Sequence, residues 1–146
     1  MFLQRVSFLF LIALLIFLLF PGCKENINAP DISEEEIIGT WVLTKIIASY
    51  PTGGKQESTP EAENFEITIT LNNDRTFQRN QNINGEITND SGNWSIDHAK
   101  LSLVTSTDIF SFACRLNENI LQASTTVIDP DSGGIIPITL EFTRQQ

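Results

Sequence analysis

A two-residue beat constrains this chain more than any other feature. Phe65, Ile67, Ile69 and Leu71 alternate with Glu66, Thr68 and Thr70, as in a strand with one face buried and the other in water. The beat recurs from Gly39 to the end of the chain. Trp41, Leu43 and Ile47 share a face that Lys45 interrupts, and Phe77 follows an Asn72-Asn73-Asp74 turn. Asn84-Gly85 predicts a tight hairpin turn with positive φ at both residues. Gly92-Asn93-Trp94-Ser95-Ile96 opens a further strand, 97–100 turns, and 101–105 returns. The runs 109–116, 120–128 and 135–143 complete the set, parted by Asn117-Glu118-Asn119 and by the turn 129–134. These are eight or nine short strands, with no helical stretch long enough for a crossover. Short turns between sequential strands give an antiparallel meander, and closing it into an up-and-down barrel removes the exposed edges. A two-sheet sandwich is the other all-β solution. The one long connection is 49–63, which holds Pro51, Gly53, Gly54 and Pro60; long loops of this kind are lids and binding loops, or simply mobile.

The first 22 residues belong to targeting rather than to the fold. Arg5 provides a basic start, and Phe8 to Phe20 is an unbroken apolar run of 13 residues. That is the length of a signal-peptide core and falls short of the roughly 18–20 residues of a membrane-spanning helix. Pro21 and Gly22 stop the helix and offer a small residue for cleavage. The stretch Leu19-Phe20-Pro21-Gly22-Cys23 resembles a lipobox, whose cysteine is acylated and becomes the new N-terminus, although Phe20 and Pro21 depart from its usual residues. The competing reading is an uncleaved signal anchor with Cys23 an incidental thiol. Residues 23–36 then form a polar tether and one helical turn, for which Ser33 and Glu36 make a capping box and Asp31 is a further cap. Residues 37–146 form the folded domain. Lys24-Glu25 resembles a surface-export signal. The expected location is the cell envelope, on the outer membrane, with the membrane reached through the lipid.

Charge excludes some partners. The chain has 9 Lys+Arg and 18 Asp+Glu, and removal of 1–22 takes away only Arg5, so the remainder carries 8 minus 18, or −10. A phosphate-binding surface needs clustered Lys and Arg, so nucleic acid is not a partner, and a face lying on anionic lipid is disfavoured for the same reason. With Cys23 acylated, Cys114 has no disulfide partner; its place on the apolar face of Phe110-Ser-Phe112-Ala-Cys114 reads as an inert core thiol. The single histidine, His98, lies in an Asp-His-Ala-Lys turn, without neighbours at zinc-ligand spacing and without a recognisable nucleophile to serve. Asp129, Asp131 and Ser132 read as a solvated turn rather than a calcium loop. No glycine-rich phosphate loop is present. No cofactor, metal or catalytic residue is therefore expected, and the chain does not read as an enzyme.

Gly39-Thr40-Trp41 at the first strand, just after a helical turn, is similar to the opening of the bacterial lipocalin-like domains found in envelope lipoproteins. The resemblance extends to Asp74-Arg75-Thr76-Phe77, to Gly92-Asn93-Trp94-Ser95 and to Arg144 in the last strand. It implies a lipocalin-like barrel over 37–146 in which Trp41 plugs one end. Arg144, on the same face as Ile136, Ile138, Leu140 and Phe142, would pack over its ring, so that Gly39, Trp41 and Arg144 close the barrel. These are structural signatures and say nothing of function.

Two function classes remain. One is a barrel that binds a small hydrophobic or amphipathic ligand. In that case 49–63 and 129–134 would ring the mouth and Lys45 would meet a ligand acid or snorkel to solvent. The other is a filled barrel acting as an interaction module, an inhibitor or accessory subunit of an envelope complex whose protein partner the sequence leaves open. Eight-stranded barrels do either, and Trp41, Phe65, Trp94, Phe110, Phe112 and Phe142 are the large inward candidates.

Overall fold

The structure is a computed structural model that describes residues 31–50, 53–129 and 132–146. The expected targeting segment 1–22, Cys23, the expected tether as far as Pro30, and residues 51, 52, 130 and 131 lie outside the described residues. Ser33 opens the helical turn α1 (Glu34–Ile37) with both halves of a capping box. Its backbone N–H donates to Glu36 Oε2 at 2.9 Å, and Glu36 N–H donates back to Ser33 Oγ at 3.4 Å. Nine strands follow: β1 (Gly39–Ser49), β2 (Lys55–Ser58), β3 (Phe65–Leu71), β4 (Thr76–Ile83), β5 (Glu86–Asp97), β6 (Lys100–Val104), β7 (Ile109–Asn117), β8 (Ile120–Ile128) and β9 (Ile135–Arg144).

All are antiparallel in the order β2-β1-β3-β4-β5-β6-β7-β8-β9, and β1 also pairs with β9. That last ladder, from Trp41↔Arg144 to Ala48↔Ile138, closes β1 and β3–β9 into an eight-stranded lipocalin-like barrel. β2 is the extra strand. It runs along 46–49 of β1, in the space left where β1 and β3 part after four rungs. The stretch 49–63, expected from the sequence as an open loop, instead holds a strand, since Lys55–Ser58 pair back on β1, and a 3₁₀ turn at Glu61–Glu63. β5 also starts earlier than Gly92, at Glu86, directly after an Asn84-Gly85 turn with φ of 53° and 89°.

The register orients the molecule. α1, the chain end and the turns 72–75, 98–99 and 118–119 lie at one end of the barrel, here called the closed end. The turns after β1, β4, β6 and β8 lie at the far end. A bulge corrects one expectation. Between Leu43 and Lys45 the β1–β9 register slips by one residue, so Thr44 and Lys45 both face outward, and Ile46 and Ala48, not Ile47, are buried. A slip of one residue moves every later side chain to the opposite face. Lys45 therefore leaves the interior and reaches Glu57 and Glu141, each at 3.6 Å.

Candidate functional site

The closed end is built around a shortage of hydrogen-bond donors. A four-residue helix leaves its carbonyls without partners of its own, and two distant side chains supply them. Trp41 Nε1 donates to Ile37 O at 2.8 Å, and Arg144 donates through Nη1 to Ile38 O at 2.7 Å and through Nη2 to Glu36 O. The same guanidinium lies 4.5 Å from the centre of the Trp41 ring, and Trp41 is fully buried. Gly39 has φ of 140°, and a Cβ there would stand 3.1 Å from Arg144 Nη1. Gly39, Trp41 and Arg144 thus meet in one cluster, with Trp94 beside it donating to Asn72 O at 2.9 Å. Arg75 ties the 72–75 turn to α1 through Glu34 at 2.8 Å.

Above this plug the barrel is packed with apolar side chains. A cavity of about 20 Å³ lies among Trp41, Leu71, Phe112 and Phe142. It is water-sized, but its lining offers no polar group, so it stays dry and takes no ligand. All six large aromatic side chains expected inside are buried.

The upper half differs, through residues that the sequence reading passed over. On β4 the inward positions run Phe77, Arg79, Gln81, Ile83, and opposite them on β5 stand Gly92, Asp90, Thr88 and Glu86. Counting by two from Phe77 and from Trp94 would have found them. Arg79 donates through Nε to Asp90 Oδ2 at 3.0 Å and through Nη2 to the same oxygen. Its guanidinium also lies 4.4 Å from the centre of the Phe110 ring. Gln81 is 4% exposed, and its Oε1 has no hydrogen-bond partner. Ser58 Oγ is buried and unpartnered too; Ser58 pairs with the inward Ile46 and so shares its face.

The wall at this level is only partly laddered. β5 pairs with β6 over Asn93–Asp97 alone, leaving 86–92 joined to β4 on one edge only. β6 stops where a Cβ on Gly92 would fall 1.9 Å from the Val104 carbonyl oxygen. Arg79, held to Asp90 on β5 and stacked on Phe110 of β7, bridges the gap. At the rim the turns after β1 and β8 come together. Burial raises the Tyr50 phenol above its ordinary pKa, and the negative charge of Asp129 adds to the shift. Ile87, Val104, Ile109, Ile128 and Ile135 stand exposed on the outer wall near the same rim.

The remaining candidates are elsewhere. His98 is on a closed-end turn, exposed and 3.0 Å from Asp31. The Cys114 thiol is buried and donates to Phe112 O at 3.8 Å. Ser132 bonds Asp129 at 2.6 Å. Among the described residues no group of three metal-ligating side chains occurs, and no helix is long and apolar enough to cross a membrane.

Residues 22–136 match a family model described as a domain of unknown function, DUF5004. The chain belongs to this family. No curated protein matches the chain. Among solved structures, the DUF5004 chain is similar to one titled Odorant Binding Protein OBP1. The two are 17% identical, with a TM-score of 0.46 over 79% of this chain and 75% of that one.

Proposed function

We propose that the protein is a bacterial envelope lipoprotein, acylated on Cys23, whose barrel receives one small amphipathic ligand in its upper half. The observation that carries the binding reading is Gln81, whose buried amide oxygen lacks a partner on the inward face beside the Arg79–Asp90 pair, above a core that is otherwise apolar. Polar side chains are kept in an interior at a cost unless something there uses them. The anchor rests on the apolar run 8–20 and on Cys23 after Gly22; the tether would place the closed end toward the membrane and the rim away from it. The proposed role is non-catalytic. The exposed isoleucines at the rim favour a second reading, an interaction module docking through that belt.

Two measurements test these readings. Intact-mass spectrometry of membrane-extracted protein should find an N-terminal acylated Cys23, and Cys23→Ser should release the protein or leave its precursor unprocessed. A mature N-terminus elsewhere, or no acyl mass, defeats the anchor. Native mass spectrometry of the purified protein should show a small molecule that co-purifies. A barrel that emerges empty and takes up no added amphiphile leaves the interaction module in its place.

A further inference from the structure

The geometry points to a neutral ligand: one whose hydroxyl or amide group bonds to Gln81, with acids excluded because the charge of Arg79 is already taken. This inference rests on the binding reading above and names the chemistry of that site.

Gln81 is the starting point. Its amide oxygen is buried without a partner, and a buried acceptor left so costs about 1–3 kcal/mol. Turning the amide about its last bond would bring its NH₂ group to the same place, where the partner required would accept rather than donate. A partner able both to donate and to accept satisfies either orientation, and a hydroxyl or an amide does this. Ser58 Oγ makes the same demand from the inward face of β2. At this level β2 takes the edge of β1 that β3 has left, with β9 on the other edge, so β3 separates β2 from β4 and the two orphans sit on separate strands of the same inward face.

Arg79 excludes the charged alternative. A lone arginine in a barrel would be a natural site for a carboxylate. Here two of its nitrogens donate to one oxygen of Asp90, and the face of the guanidinium rests on Phe110. The Arg79 side chain is 11% exposed and that of Asp90 is 29%. An incoming carboxylate would have to displace Asp90 and then sit beside it, two like charges in a site of reduced solvent. A neutral polar group meets no such penalty, and the ion pair remains intact beneath it.

Octanol and octanoate are a matched pair of probes with one chain length and two head groups. The full-length acylated protein, in phosphatidylcholine nanodiscs at about pH 8 where the acid is ionised, is titrated with each. The readout is the side-chain amide signals of ¹⁵N-glutamine, with Gln81 assigned from Gln81→Leu. Octanol should shift the Gln81 amide and saturate at a concentration at least about tenfold below octanoate. Gln81→Leu should weaken octanol about fivefold or more, read from tryptophan fluorescence, with thermal melts verifying the fold. Asp90→Asn, which releases Arg79, should reverse the preference toward octanoate. Octanoate binding as tightly as octanol to the unaltered protein overturns the inference while leaving the binding reading standing. So does Gln81→Leu with unchanged octanol affinity, the result expected if a buried water satisfies the amide. Binding of neither probe removes the binding reading itself, and the inference with it.

Discussion

Gly39 occupies a conformation that other residues rarely adopt, at φ 140°, with Arg144 where a Cβ would point. Gly39→Ala should therefore cost about 1–3 kcal/mol in backbone strain before any displacement of the arginine, measurable by urea denaturation. Trp41→Ala should cost more, about 3–5 kcal/mol, by leaving a large cavity and freeing the Ile37 carbonyl. Glu36 acts through charge. Hydrogen bonds from the Ser33 backbone N–H and, secondarily, from its hydroxyl hold the Glu36 carboxyl below its ordinary pKa. A folded-state value below the unfolded one means that the stabilisation is present above the ordinary glutamate value of 4.5 and fades as pH falls through the folded value. The difference in melting temperature between the unaltered protein and Glu36→Gln should therefore be largest near about pH 6 and shrink toward about pH 3. A difference that grows on acidification would contradict this sign.

β1 shows what an element adds to its residues. Its lower half faces β3 and β9, its upper half faces β2 and β9, and the bulge at Thr44 keeps Leu43 and Ile46 both inside. Two single-residue deletions should consequently behave differently. Removing Thr44 takes out the extra residue and keeps Leu43 inward, Lys45 outward and Ile46 inward, so the protein should still fold, with reduced curvature of β1. Removing Val42 puts Trp41 next to Leu43 on the opposite face and should abolish the fold. Circular dichroism and the emission maximum of the buried tryptophans distinguish these outcomes. The β1–β2 hairpin is a second case. Lys45 lies between Glu57 on β2 and Glu141 on β9, a half-exposed arrangement that adds little stability but takes Lys45 out of the ligand question.

For the molecule as a whole, closure is the decisive contact, because it joins the first strand to the last. Residues 143–146 contribute the Trp41↔Arg144 and Val42↔Thr143 rungs, and Gln145 N–H donates to Thr40 O at 2.8 Å. A chain ending at Phe142 should lose the plug and the final rungs together. Its unfolding should become broad, with the β1–β9 seam exchanging amide hydrogens faster than β3–β4. A sharp, unshifted melt would show that closure does not depend on this end.

Much of the barrel was legible in the order of residues. The alternation in Phe65–Leu71 and Ile135–Arg144 set which side chains face inward, because a strand places them on opposite faces in strict turn. Asn84-Gly85 set a hairpin, because its two residues tolerate positive φ, and Ser33 with Glu36 set a helix start. The bulge at Thr44 was not legible, since nothing local marks where a strand must bend to close a barrel, and so Lys45 and Ile47 were assigned to the wrong face. The fold-back of β2 was hidden for a related reason: Lys55–Ser58 is polar and lacks an alternating pattern, and it is a strand only because β3 departs from β1 and leaves backbone groups to satisfy. Arg79, Gln81 and Asp90 have the right parity, yet a charged residue in a polar strand reads as solvent-facing. The meeting of Arg79 with Asp90 and Phe110 depends on three strands whose relative heights only the closed barrel determines.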